Sequence, residues 1–191
     1  MKRLRVANDL PFLPVSAANM GVNIEIKAKA KDPANLCRIL QKLSETSCEV
    51  IPQEDIFFHT AKGRLKLRVL APERGELIYY ERDNIIGPKR SSYLISRCND
   101  PTPLRRLLAT SLGVRGIVRK QRLLYKIGNT RIHVDDVEGL GCFLEIEVVL
   151  NQGQTTEEGV AVAKAIMQKL GIDPADLVEE AYIDLLQNPR T

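Results

Sequence analysis

Residues 131–150 read RIHVDDVEGLGCFLEIEVVL. The stretch divides into a strand, a turn marked by Gly139 and Gly141, and a second strand. In each half the apolar residues alternate with something else: Ile132 and Val134, then Leu144, Ile146 and Val148. Side chains of a strand point alternately to its two faces, so residue parity assigns the face. The opposite face therefore carries Arg131, His133 and Asp135 on one strand, and Glu145 and Glu147 on the next. Charges of both signs gathered on one face of adjacent strands call for a reason beyond solubility.

The same segregation recurs along the chain. In NIEIKAKA, Ile24 and Ile26 oppose Asn23, Glu25, Lys27 and Lys29. In GRLKLRVL, Leu65, Leu67 and Val69 oppose Arg64, Lys66 and Arg68. Tyr80 shares a face with Arg82, and Lys120 with Arg122. One strand with a polar face is ordinary in a half-exposed sheet. Six of them point to a different geometry. A plain solvent face mixes Ser, Thr, Asn and Gln among its charges, whereas here Lys and Arg dominate some strands and carboxylates the last. If the sheet closes on itself, the charged faces line an interior and the apolar faces meet helices outside. Unpaired charges would be costly there. A polyanion with a divalent ion offsets that cost, because Lys and Arg hold phosphate oxygens and grouped carboxylates hold Mg²⁺ or Mn²⁺.

Strand-like segments lie near 22–30, 54–60, 64–70, 76–82, 91–97, 115–126, 130–135 and 142–150. The links at 61–63 and 128–129 suit antiparallel hairpins. Helices are predicted after Asp32-Pro33, after Asp100-Pro101 as far as Gly113, and from about Thr155 to Leu170, with a fourth start at Asp173-Pro174. In each Asp-Pro pair, Asp is the N-cap and Pro takes the first helical position. The order strand, Asp-Pro, helix occurs twice, which suggests two similar halves. The fold class is α+β, and eight strands are enough to close an antiparallel β-barrel with flanking helices.

Composition narrows the function. With 44% hydrophobic and 27% charged residues, the chain can bury a core and is not of disordered type. The apolar runs are too short for a membrane helix. A net charge of +4 favours an anionic partner weakly, and an aromatic content of 5% argues against nucleic acid. Cys37, Cys48, Cys98 and Cys142 have no metal-site spacing and are read as reduced thiols of a cytoplasmic protein. With only His59 and His133 besides, a zinc site is not expected. Residues 1–20 read as a disordered extension, with an organelle-targeting segment as the alternative, and residues 21–188 as a single domain. A homodimer fits a chain of this size.

The segments NIEIKAK, GRLKLR, VRKQRLLYKIG and RIHVDDVEGLGCFLEIEV together resemble the CYTH superfamily of triphosphate tunnel metalloenzymes. That group includes class IV adenylate cyclases, thiamine triphosphatases and inorganic triphosphatases. The likeness runs from about Gly21 to Leu186, and the tail AYIDLL is most similar to the cyclase-like branch. The resemblance implies the triphosphate tunnel, a closed eight-stranded barrel with charges inside. It implies Glu25, Asp135, Glu145 and Glu147 as ligands of Mg²⁺ or Mn²⁺. It implies Lys27, Lys66, Arg68, Lys120 and Arg122 as triphosphate-binding residues.

Two departures stand out. Asn23 occupies the first Glu position of E-x-E-x-K, and Tyr80 the place of a Lys in the fourth strand. Arg82, two residues on and on the same face, is read as supplying the missing charge. His133 is the general base that this face offers, set against the plainer reading of a strand histidine that fills space.

The activity implied is that of a metal-dependent enzyme on a triphosphate, converting ATP to cyclic AMP and pyrophosphate. The alternative within the superfamily is a hydrolase of tripolyphosphate, thiamine triphosphate or a nucleotide. Outside it stands a non-catalytic polyphosphate- or nucleotide-binding module.

Overall fold

Each half of the chain opens with a strand that feeds an Asp-capped helix. In the computed structural model, which describes residues 20–188, these are β1 (Gly21–Lys29) with α1 (Pro33–Leu43), and β5 (Lys89–Cys98) with α2 (Pro101–Leu112). Asp32 accepts a hydrogen bond from the Asn35 amide and Asp100 from that of Thr102, as N-caps do. Three strands follow each helix. They are β2 (Glu49–Phe58), β3 (Arg64–Ala71) and β4 (Arg74–Arg82), then β6 (Val114–Ile127), β7 (Thr130–Val137) and β8 (Gly141–Val149). After them come α3 (Thr156–Lys169) and the short α4 (Tyr182–Gln187).

The eight strands close into an antiparallel barrel in the order β1-β5-β4-β3-β2-β6-β7-β8. Exchanging β1–β4 for β5–β8 returns the same cyclic order, so the two-half pattern of the sequence is also the pattern of pairing. Closure leaves no sheet edge among these strands. Gly128, with φ 54°, takes the first position of the two-residue turn between β6 and β7, a conformation that suits glycine.

The apolar faces point outward, under the helices. Ile24, Ile26, Ile132, Val134, Leu144, Ile146 and Val148 are buried against α1 and α3. Ile56, Phe58 and Leu67 pack against Leu108 of α2. Gly159 lets α3 lie close to the barrel, since a Cβ there would stand 2.5 Å from Leu150 Cδ2 and 2.7 Å from Ile24 Cγ1.

The structure differs from expectation at two places. β2 begins at Glu49 rather than 54 and ends at Phe58. Pro52 lies inside it and obscures the strand pattern, yet its neighbours pair with β6. Asp173-Pro174 opens only a single 3₁₀ turn, Pro174–Asp176, and the last helix starts at Tyr182 instead. Apart from Met20, the reading of residues 1–20 lies outside the described residues. Among the described residues, no helix is long and apolar enough to cross a membrane.

Candidate functional site

Closure with the apolar faces outward forces the other parity inward. The result is a cavity of about 930 Å³ along the barrel axis. Its wall carries Glu25 and Lys27 from β1, Lys66 and Arg68 from β3, and Arg82 from β4. From β6 it has Lys120 and Arg122, from β7 Arg131 and His133, and from β8 Glu145 and Glu147. Of the residues expected in the site, Asp135 alone is not in this wall. It faces inward as well but lies deeper, between Lys120, Arg122 and Tyr182, fully buried.

The two ends of the tunnel differ. At one end the inward residues turn apolar: Phe57, Val118, Val137 and Phe143 pack with Tyr182 and Ile183 of α4. This helix plugs the barrel. Asp184 is tied to Arg64 at 2.8 Å and to Arg115 at 2.5 Å, so Arg64 serves the plug rather than the cavity wall. The Tyr182 hydroxyl donates to Asp135 at 3.0 Å, while its ring lies 3.5 Å from Lys27 Nζ. At the other end, Ile51, Leu70, Tyr93, Ile95 and Leu124 line the cavity. The tunnel thus runs from an apolar plug, through a charged middle, to a mouth where these apolar residues stand among Glu49, Arg74, Glu76, Arg97 and Lys126.

The middle is organised as ion clusters. Asp55 accepts from Lys66 at 2.9 Å, from Arg68 Nε at 3.0 Å and from Gln53 at 3.0 Å. Burial alone would raise the Asp55 carboxyl, but Arg68, Lys66 and Lys120 overcome it and hold the group well below the usual carboxylate range. Burial brings Lys66 down to about 8, with Asp55 opposing the shift.

Asp135 binds Arg122 through both oxygens, at 2.7 and 2.6 Å, and Lys120 at 3.1 Å. Its carboxyl too is held low, by Arg122 and Lys120 against burial. Glu145 joins Lys27 to Arg122, Arg131 meets Glu147 at 2.9 Å, and Glu25 pairs with Arg82. Burial would also raise Glu145 and Glu147, yet both lie low: Lys27 acts most on the first and His133 on the second. For His133, burial and then Arg122 lower the imidazole.

Whether a divalent ion fits is tested by the donors themselves. Glu25 and Glu147 are directly opposite across β1 and β8, and Glu145 follows on the same face, giving hard oxygens on adjacent strands. Asn23 Oδ1 is buried in this wall without a hydrogen-bond partner among the described residues, as is His133 Nδ1. His133, Glu145 and Glu147 bring ligand atoms within 4.8 Å of one another. Clustered acids beside orphaned acceptors suit a cation.

Asp55 and Tyr182 are inward groups that the sequence reading passed over. Asp55 had a signal: Ile56 and Phe58 face out, so Asp55 and Phe57 must face in. Tyr182 had none, because its place depends on where the C-terminal segment crosses the barrel. Lys89 was also missed. It donates to the carbonyls of Ile85, Val178 and Glu179 at 2.9, 3.1 and 3.1 Å, fastening that segment to β5.

A CYTH domain family model matches residues 22–182. A protein of Methanocaldococcus jannaschii, provisionally named an adenylate cyclase, is 25% identical over 173 residues, covering 86% of this chain and 98% of its own. Among solved structures, a Pyrococcus horikoshii protein superposes with a TM-score of 0.75 at 25% identity, covering 85% of this chain and 98% of its own. A Hippeastrum protein, provisionally an adenylyl cyclase and described as having a dominant triphosphatase activity, shares the fold with a TM-score of 0.63 at 14% identity. That match covers 90% of this chain and 97% of the other.

Proposed function

The chain belongs to the CYTH domain family, and we propose that it is a divalent-metal-dependent enzyme acting on an organic triphosphate, with ATP converted to cyclic AMP and pyrophosphate as the leading reaction. One observation carries the proposal. Six cations, Lys27, Lys66, Arg68, Arg82, Lys120 and Arg122, converge on one cavity that also holds Glu25, Glu145 and Glu147.

The cations bind and orient the phosphates, Arg68 and Arg122 with planar guanidinium forks and the lysines as point charges. Glu145 and Glu147, with Glu25 beside them, would hold the ion. Once bound, a divalent ion supplies charge neutralisation at the phosphates and activation of the attacking oxygen. Asp55 and Asp135 hold the basic side chains in place and lower the cost of burying them. Tyr182 and the plug close one end, so substrate enters through the mouth. There Ile51, Leu70, Tyr93, Ile95 and Leu124 offer an apolar seat for an organic group, which inorganic tripolyphosphate would not use. The name of the archaeal relative supports the cyclase reaction.

Hydrolysis is the second reading. At about 930 Å³ the cavity lies near the upper end of small-molecule sites, roughly 300–1,000 Å³, and has room for water beside the substrate.

Phosphorus NMR of the protein with ATP, and separately with tripolyphosphate, in the presence of Mg²⁺ or Mn²⁺, tests the proposal. Pyrophosphate with cyclic AMP is the expected result, and ATP is expected to react faster than tripolyphosphate. Orthophosphate from ATP would replace cyclisation by hydrolysis. No turnover of either substrate would leave a binding module and overturn the enzyme reading.

The position of Lys66 makes a pH prediction. Its ammonium lies near 8 in the free protein. As pH rises through that value the charge is lost, and with it a phosphate contact. Because kcat/KM reports the free enzyme, it is expected to fall above about pH 8. In Lys66→Arg the guanidinium stays charged and the limb should vanish. A limb that persists unchanged in Lys66→Arg would assign it to another group.

A further inference from the structure

Resting on the metal-dependent reading above, we infer that His133 is itself a ligand of the divalent ion, through Nδ1, and that the site selects a first-row transition ion such as Mn²⁺ over Mg²⁺. His133 is directly opposite Glu145 in the β7–β8 ladder, and Glu147 opposes Arg131 one inward position along. Its neighbours Ile132 and Val134 are locked in the outer core, so the imidazole is held inward.

The residue is 4% exposed, and its Nδ1 is buried without a hydrogen-bond partner among the described residues. A buried polar nitrogen in that condition is costly and uncommon. Nδ1 lies 3.9 Å from Glu145 Oε2 and 3.8 Å from Glu147 Oε1. Both separations are too long for hydrogen bonds. Donors about 2.1 Å from a common centre stand about 3 Å apart at right angles and about 4 Å apart when opposite, so small side-chain rotations would bring these three groups onto one ion.

The neighbouring donors point the same way. Asn23, with its own orphaned Oδ1, replaces a carboxylate by a neutral oxygen on the strand beside β8. The available set is thus an imidazole with the carboxylates of Glu145 and Glu147, and Glu25 directly opposite Glu147 on the next strand. Arg122 and Lys27 bond Glu145 already, but each carboxylate oxygen has a second lone pair to give. Mg²⁺ favours an all-oxygen octahedron and rarely takes imidazole, whereas Mn²⁺ and Co²⁺ accept mixed nitrogen and oxygen donors.

The test uses metal-free full-length protein without substrate, titrated with Mn²⁺ and with Mg²⁺ by calorimetry. Pulsed electron paramagnetic resonance of the Mn²⁺ complex accompanies it. We expect Mn²⁺ to bind at least about tenfold tighter than Mg²⁺, with nitrogen coupling from one coordinated imidazole. His133→Asn should lose that coupling and about tenfold or more in Mn²⁺ affinity, while Mg²⁺ affinity changes less than threefold. Bound Mn²⁺ without nitrogen coupling in the unsubstituted protein would overturn the inference, whether or not the variant folds. That result would leave the metal-dependent reading standing. Binding of neither ion, together with absent turnover of ATP, would overturn both.

Discussion

Glu145→Gln and Glu147→Gln are each expected to lower kcat by about 10³-fold, while triphosphate affinity in the absence of metal stays the same or tightens. The two effects separate because these carboxylates have two jobs. Each offers hard oxygens to the ion, and an amide is a weaker, neutral ligand. In the free protein Glu145 also neutralises Lys27 and Arg122, and Glu147 neutralises Arg131. Removing one negative charge frees those cations for phosphate. The shape of the side chain is kept, so the barrel should survive. The measurement is steady-state turnover beside calorimetric titration of tripolyphosphate into metal-free protein. Retained turnover in both variants would take the ion away from β8. Joint loss of turnover and anion binding, with the fold intact by circular dichroism, would mean that the carboxylates organise the cationic wall instead.

Asp135→Asn should act mainly on stability. Its two oxygens receive Arg122, Lys120 and the Tyr182 hydroxyl, and it has no exposed surface. Among the described residues, the substitution leaves Lys120 as a buried cation with no other hydrogen-bonded carboxylate, and Arg122 with Glu145 alone. Breaking a buried ion cluster from one side costs about 3–5 kcal/mol. In a chain of this size that lowers Tm by about 10 °C. The plug should loosen as well, because Tyr182, Lys120 and Arg122 must then compete for the one acceptor oxygen that the amide keeps. Thermal unfolding of the metal-free variant measures the effect, and Mn²⁺ titration separates the roles of Asp135. A Tm within 2 °C of the parent together with a large loss of Mn²⁺ affinity would instead make Asp135 a ligand.

The legibility of this protein varied by the range of the interaction. The two Asp-Pro helix starts were readable because a cap is a contact between residues two or three apart, as in Asp32 with Asn35. A third Asp-Pro misled. Asp173 does cap the Ala175 amide, but the chain leaves after one 3₁₀ turn to cross the barrel end. There the Val178 amide donates to the Lys27 carbonyl, and Lys89 fastens Val178 and Glu179. Tertiary contacts overrode a sound local signal. Asp55 was missed for a smaller reason: it lies within the expected strand at 54–60, but the run Glu54, Asp55, Ile56, Phe57, Phe58 does not alternate and so does not mark its face.

By alternation alone, the sequence determined which side chains share a face. With the family resemblance it also specified that the sheet closes around the charged one. Alternation is a property of each strand by itself, so it survives without knowledge of any partner. The tertiary structure alone decided which charges meet. Lys27 and Glu145 are 118 residues apart, and only the β1–β8 register makes them a pair. The structure buried Asp135 between Lys120, Arg122 and Tyr182, paired Asp55 with Lys66 and Arg68, and set Tyr182 over one end of the tunnel. It also brought the single histidine of β7 to two glutamates of β8, a donor set that no sequence spacing announces. The physical reason is common to all of these. Pairing energies depend on cross-strand register and burial, and both arise only when the barrel has closed.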